Sequence, residues 1–294
     1  VTPYRYRSEM EDSHRWLDFP MRDDDIVIST RSKHGTTWTQ MICALLVFQT
    51  PDLPAPLSEL SPWLDWTIAP KEAVFAKLAA QRHRRFVKTH TPLDGIPIHP
   101  TARYIVVARH PLDAAVSLYH QGSNLRRERI AELTGVPVPE AKKRPRPEPR
   151  DWLVRWTLTD SDPREFPEMF PGVMAHLSDA WARRAEPNLL LVHYADLSAD
   201  REGEMRRIAD WLGIEVPETR WADLVRAAGF AEMKAQAETM APDPVGLMRS
   251  RDAFFRRGES GAAAALLSAE ELAAYEARVA ALVPEDLAAW LHRP

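Results

Sequence analysis

The chain has 294 residues, and 42 acidic against 38 basic side chains give a formal net charge of −4, too acidic for a sequence-independent nucleic-acid coat, which needs a broad basic surface. Apolar residues make up 45% and charged residues 27%, a globular balance that excludes wholesale disorder and is ample for one large core. The lone cysteine, Cys43, rules out an internal disulfide; no apolar signal core opens the sequence, and the longest apolar run, residues 41–48, is far short of the roughly 20 residues that cross a bilayer, so a cytoplasmic protein with no membrane span is expected.

In chain order, four short runs stand out as strands: 26–29, 85–89, 104–108 and 189–193. Each is nearly all apolar or β-branched, as in a parallel sheet covered on both faces. Helical patterns follow most of them. Residues 37–48 read as a buried helix, and 111–120 opens with Pro111 at a favourable first position. Residues 199–213 put Met205, Ile208, Ala209 and Leu212 on one face, with Gly213 as the stop. A last helix spans 268–283, with Ser268 as cap and Glu270 and Glu271 in its first turn. The alternation predicts an α/β fold: a doubly wound, mainly parallel central sheet flanked by helices, as a single domain over residues 1–294. Residues 136–150 interleave prolines with Lys142, Lys143, Arg144 and Arg146, a composition that defeats regular structure. They read first as a mobile surface insertion and second as a flap over a site.

Ligands of such folds bind at the carboxyl ends of the strands, so the residues after each strand carry the argument. After the first comes Arg31-Ser32-Lys33-His34-Gly35-Thr36-Thr37-Trp38 and then a helix. Glycine lets backbone N–H groups approach a ligand, the helix start adds a positive dipole end, and Lys33 adds a full cation. This is an anion cradle for phosphate or sulfate. The nucleotide-triphosphate loop G-x-x-x-x-G-K-[ST] is not matched, because Lys33 precedes the only glycine. The second strand ends in Lys88-Thr89-His90-Thr91-Pro92. After the third, Arg109-His110-Pro111-Leu112-Asp113 leads to Ser117; Arg109 can fork two donors onto a phosphate, and Asp113 and Ser117 share a helix face. Tyr194 follows the fourth strand. Further on come Phe230-Ala231-Glu232-Met233-Lys234 and Phe254-Phe255-Arg256-Arg257-Gly258.

In this order the segments resemble the cytosolic-type sulfotransferases that use 3′-phosphoadenosine 5′-phosphosulfate (PAPS) and release adenosine 3′,5′-bisphosphate (PAP). The first loop resembles that family's P-K-S-G-T-T-W, with Ser32 and His34 departing from it; the others resemble K-T-H-x-P, R-x-P-x-D-x-x-x-S, Y-E-D-[LM], F-x-x-M-K and F-M-R-K-G. The resemblance covers residues near 25 to 261. It implies a P-loop-like fold, His90 as general base, and Lys33 stabilising the leaving group, with Ser117 and Lys88 in supporting catalytic roles. It further implies that His34, Gly35, Thr36, Thr37 and Trp38 cradle the 5′ end, that Tyr194, Phe230 and Met233 flank the adenosine, and that Arg109, Ser117, Phe254, Arg256, Arg257 and Gly258 close over the 3′-phosphate. The acceptor is expected to be a small molecule with a hydroxyl or amine group. After Gly261 the family's tryptophan is replaced by alanines 262–265, and its dimer signature K-x-x-x-T-V-x-x-x-E is unmatched, so the oligomeric state stays open.

No H-E-x-x-H or cysteine pair occurs, so no metal is expected, and no G-x-S-x-G elbow is present. Trp63 and Trp66 read first as core and second as the wall of an acceptor pocket. Residues 82–85, Arg-His-Arg-Arg, read as a solvated turn. Two rival functions stay in play: a magnesium-dependent kinase or NTPase on the same fold, which needs an acidic strand end that none of the four runs clearly offers, and a non-catalytic nucleotide-binding protein.

Overall fold

The computed structural model describes residues 2–140, 144–255, 261 and 263–293. Four strands, β1 (Ile26–Ser29), β2 (Phe86–Thr89), β3 (Arg103–Ala108) and β4 (Leu189–His193), form one sheet in the order β2-β1-β3-β4. All three pairings are parallel. The chain therefore leaves β1 to one side for β2 and returns to its other side for β3. That reversal opens a crevice at the carboxyl ends of β1 and β3.

The expected strands are present within one residue of their ends. Their burial has a simple cause: successive side chains point to opposite faces, and both faces are covered. Ile26, Ile28, Phe86, Ile105, Val107 and Val192 pack against α1 (Thr36–Phe48) and against helices that include Ile208 and Leu224. Val27, Val87 and Val106 pack on the opposite side, with Trp156, Phe170 and Tyr275 among their neighbours. Residues buried on both faces of the sheet give continuous apolar runs rather than alternation.

Helix α2 (Pro111–Asn124) runs four residues beyond its expected end. It is followed by α3 (Arg127–Thr134), α4 (Pro149–Leu158) and α5 (Phe170–Ala182). After β4 come α6 (Tyr194–Ala199) and α7 (Arg201–Leu212), the latter ended by Gly213 at φ +68°. Then follow α8 (Glu218–Ala227), α9 (Phe230–Ala235) and α10 (Ala269–Leu282). The expected Ser268 cap is a full capping box with Glu271.

In the basic turn at 82–85, Arg82 is exposed as expected, but Arg85 is corrected by the fold. Arg85 is only 1% exposed and forks onto Asp25, its Nε 2.7 Å from Oδ1. Its Nη2 also reaches the Pro20 carbonyl, and the guanidinium lies 4.7 Å from the Phe19 ring centroid. Asp25 precedes β1 and Arg85 precedes β2, so the pair rivets the two strand starts; the backbone adds Ile26 N–H to the Arg85 carbonyl at 2.9 Å. Sequence patterning cannot distinguish a solvated arginine from one whose carboxylate lies 60 residues away. Removing one partner strands a buried charge, so Asp25→Ala should cost about 3–5 kcal/mol in urea unfolding; a loss below 1 kcal/mol would show that the pair does not hold the strand starts.

Candidate active site

Ser29 ends β1, and the chain enters a tight loop in which Lys33 takes φ +66° and Gly35 φ +109°. The His34 N–H closes the loop onto the Arg31 carbonyl at 3.3 Å. Gly35 is required twice over. Its φ lies where L side chains are strained, and a Cβ would stand 3.2 Å from the Tyr194 ring and 3.4 Å from Val107. α1 starts at Thr36 with no side-chain cap, so its first-turn donors and positive dipole end are left for a ligand. The Thr36 hydroxyl is hydrogen-bonded to that of Thr30. An anion of phosphate or sulfate size fits this cradle.

His90 is the first residue after β2. Its Nδ1–H donates to the Thr30 carbonyl, and since a carbonyl only accepts, the other ring nitrogen, Nε2, must carry the lone pair. Trp63 meets the imidazole edge to face at 4.8 Å. Burial, then the charges of Lys88 and Arg31, hold the His90 pKa well below the ordinary value of 6.5, so the ring is neutral near pH 7. Lys88 points toward the same space, 4.4 Å over Trp63, and burial brings its pKa down to about 8.

Arg109 follows β3 directly and Tyr194 follows β4. The Arg109 guanidinium lies 4.2 Å over the Tyr194 ring, with Nη1 3.4 Å from the Lys33 carbonyl. Tyr194 in turn meets Trp38 at 5.0 Å, and the Trp38 indole N–H donates to the Ala228 carbonyl at 2.9 Å. Lys33 Nζ sits 3.8 Å from the centre of the Phe254 ring. Asp113, which shares a helix face with Ser117, accepts the Gly261 N–H through both oxygens, at 3.1 and 2.9 Å.

These groups share one cavity of about 1490 Å³. The expected residues Lys33, Gly35, Thr36, Thr37 and Trp38 line it, as do Lys88, His90, Arg109 and Ser117, and also Tyr194, Phe230, Met233 and Phe254. His34 does not: its side chain is 2% exposed and turned inward, with Nδ1 3.0 Å from the Ser32 carbonyl, and its backbone N–H is spent on Arg31. Burial takes its pKa down to about 4. Arg256, Arg257 and Gly258 lie outside the described residues. Trp63 and Trp66 stack at 6.0 Å and face the cavity, giving the pocket-wall reading. Residues 144–147 also line it, so this part of the basic loop lies over the site.

Four groups around the base escaped the sequence. Arg31, 2% exposed, donates to the His90 carbonyl and pairs with Glu168 at 2.6 Å, where the Ser32 hydroxyl also bonds. Fully buried Asp65 accepts from the hydroxyls of Thr89 and Thr91, which flank His90. Glu11, pushed by burial to a pKa of about 7, completes the set. Only Arg31 and Asp65 stood inside segments already singled out, and nothing local marked them. Among the described residues no group of three or more His, Cys, Asp or Glu side chains could hold a metal ion, and no helix is long and apolar enough to cross a membrane.

The model of the sulfotransferase domain family matches residues 23–279. A protein named glycolipid sulfotransferase, from Mycobacterium bovis (strain BCG / Pasteur 1173P2), is 41% identical over 98% of this chain and 93% of its own length. Among solved structures, mouse sulfotransferase SULT7A1 complexed with PAP is similar with a TM-score of 0.69 at 21% identity, over 97% of this chain and 94% of its own. Retinol dehydratase in a complex with retinol and PAP gives 0.69 at 22%, over 93% and 85%. At such identities these two structures speak for the fold.

The loop geometry makes a checkable claim about stability. Gly35→Ala combines backbone strain with two close contacts and should cost about 2–4 kcal/mol in urea unfolding. Gly213→Ala, at φ +68° with nothing within 4 Å of a new Cβ, should cost only the backbone part, about 1–2 kcal/mol. Equal losses would show that the Tyr194 and Val107 contacts do not matter.

Proposed function

The chain belongs to the sulfotransferase family, and on that premise we propose that it moves a sulfuryl group from PAPS to a hydroxyl of a small-molecule acceptor, with His90 as general base. One observation carries the reading. His90 is hydrogen-bonded through Nδ1 to Thr30, on the same loop that presents Lys33 and the start of α1. Base and anion cradle are thus tied directly to each other, with Arg31 of the loop also donating to the His90 carbonyl.

His90 Nε2 takes the acceptor O–H proton as the oxygen attacks, an effect worth about 10²- to 10⁴-fold. When bound, PAPS supplies the activated sulfuryl group, whose bond to the 5′-phosphate oxygen breaks as the acceptor oxygen bonds to sulfur. Lys33 and the first-turn N–H groups of α1 stabilise the charge gathering on that oxygen; losing one such donor costs about 3–4 kcal/mol of barrier. Ser117 aids Lys33, and Lys88 steadies the transferring group. Arg109 and Ser117 hold the 3′-phosphate, with Arg256, Arg257 and Gly258 assigned to the same task from their motif alone. Trp38, Tyr194, Phe230 and Met233 enclose the adenosine. The cavity volume exceeds the roughly 300–1,000 Å³ of a site for one ligand, which supports a second occupant of some size. The relative named for glycolipids and the apolar wall of Trp63, Trp66, Leu125 and Leu247 support a hydroxyl on a glycolipid-like amphiphile.

His90→Ala should lower transfer of labelled sulfuryl from PAPS by at least about 10²-fold while PAP binding by calorimetry stays intact. Undiminished turnover would refute the base assignment. The pH profile gives a second check. The neutral imidazole is the active form and its pKa is depressed, so kcat should stay level as pH falls from 7.5 to 6 and drop only well below that. Lys88, active as the cation with a pKa of about 8, should impose an alkaline limb near pH 8 that Lys88→Met removes. An acid limb at 6.5 would contradict the buried, neutral His90.

A further inference from the structure

Along α2 the cavity lining changes character. Ser117 lies on its middle turn, and Ser123 is six residues further along, about 9 Å down the helix. Leu125, just past the helix, packs in one apolar cluster with Trp63 and Trp66, on the acceptor side of His90. Two arginines of the lining belong to this outer end. Arg127 opens α3, two residues after Leu125. Arg146 arrives from the proline-rich loop; its Nη1 donates to the Ser123 hydroxyl at 3.1 Å, and its guanidinium lies 4.1 Å over the Tyr119 ring. The loop is pinned there by the Tyr119 hydroxyl, which donates to the Pro147 carbonyl at 2.9 Å.

The two guanidiniums lie within each other's field. Partial burial lowers the pKa of Arg127, and partial burial and then the charge of Arg127 act in the same direction on the more exposed Arg146. The field of Glu9 reaches Arg127, yet among the described residues no salt bridge ties either arginine to a carboxylate. Of the carboxylates that line the cavity, Glu168 is engaged by Arg31 and Ser32, and Glu59 belongs to the short helix Leu57–Leu60. Like charges near an apolar wall, one of them stacked on Tyr119, gain from an anion placed between them. A guanidinium pair offers planar two-point recognition of a carboxylate, phosphate or sulfate.

We propose that Arg127 and Arg146 form a subsite for an anionic group carried by the acceptor itself, so that the acceptor is an acidic amphiphile whose apolar part rests on the Trp63–Trp66 wall. The proposal rests on the sulfuryl-transfer reading of the inner site and adds the charge of its second substrate.

The test compares octyl β-glucuronide with octyl β-glucoside, which differ by a carboxylate in place of a hydroxymethyl group. Each is titrated below its micelle concentration into the full chain, with and without saturating PAP, and followed by tryptophan fluorescence. The glucuronide should bind about tenfold more tightly, with the preference shrinking as salt is raised. Arg127→Ala/Arg146→Ala should abolish the preference and leave PAP affinity unchanged. Equal affinities or no binding of either amphiphile to the wild type would overturn the subsite; so would a preference that survives in the variant. A loss of PAP affinity in the variant would assign the pair to the donor instead. Free glucuronate binding as tightly as the octyl compound would make it a site for small anions. Failure of the wild type to bind PAP would instead sink the donor assignment, and the amphiphile comparison without PAP would still stand.

Discussion

One hydrogen bond, from His90 Nδ1 to the Thr30 carbonyl, sets the geometry on which the site depends. It is a continuation of the sheet by other means. Ser29 pairs with Thr89 at the end of the parallel ladder, and the Thr30 N–H still reaches the Thr89 carbonyl at 3.2 Å. Past that point the backbones diverge, and side chains take over the bonding. His90 reaches across to Thr30, and Arg31 reaches back to the His90 carbonyl. The crossed pair fixes the imidazole's tautomer and orientation and ties its strand end to the anion loop. A slip of one residue in the β1–β2 register would send every one of these groups to the wrong face.

Charge follows from the same arrangement. Lys33, Lys88, Arg31 and Arg109 cluster at three adjacent strand ends. Of the carboxylates that offset them, Asp65 lies buried under Thr89 and Thr91, and Glu168, on the cavity wall, is spent on Arg31 and Ser32. The supporting layer is thereby held together by ionic bonds, while the ligand-facing layer keeps an excess of cations. Such a field favours an anionic donor and holds a buried histidine neutral. The same cations that favour an anion in the pocket also keep His90 neutral, with a lone pair on Nε2.

The sheet and the donor half of the cavity were legible in the sequence because both are local. A strand buried on both faces is a continuous apolar run, and in a doubly wound fold the residue after each strand faces the crevice; His90, Arg109 and Tyr194 are those residues after β2, β3 and β4. The same logic failed wherever a residue's meaning lay in a remote partner. Arg85 looked solvated because Asp25 is 60 residues away, and Arg31 looked incidental because Glu168 is 137 away. Asp113 stood out only for sharing a helix face with Ser117, because Gly261, whose N–H it holds, is 148 residues on. His34 misled in the opposite sense: its place in the motif put it on the ligand, but the positive φ of Lys33 turns the chain so that the imidazole points into the protein.

The acceptor half was the harder one to read for a related reason. Its walls come from segments between regular elements: Trp63 and Trp66 from the stretch before β2, Leu125 at the junction of α2 and α3, Leu247 from the region after α9, and Arg146 from the proline-rich loop. None of these recurs at a fixed offset from a strand end, so no spacing rule announces them. What brings them together is the length of α2, which extends past its expected stop to Asn124 and hands Leu125 to the Trp63–Trp66 cluster and Arg127 to Arg146. The donor end is thus built from positions that the fold itself dictates, and the acceptor end from positions that it leaves free. On the proposed reading, donor chemistry can then stay fixed while changes in a few loop residues tune which molecule is brought to His90.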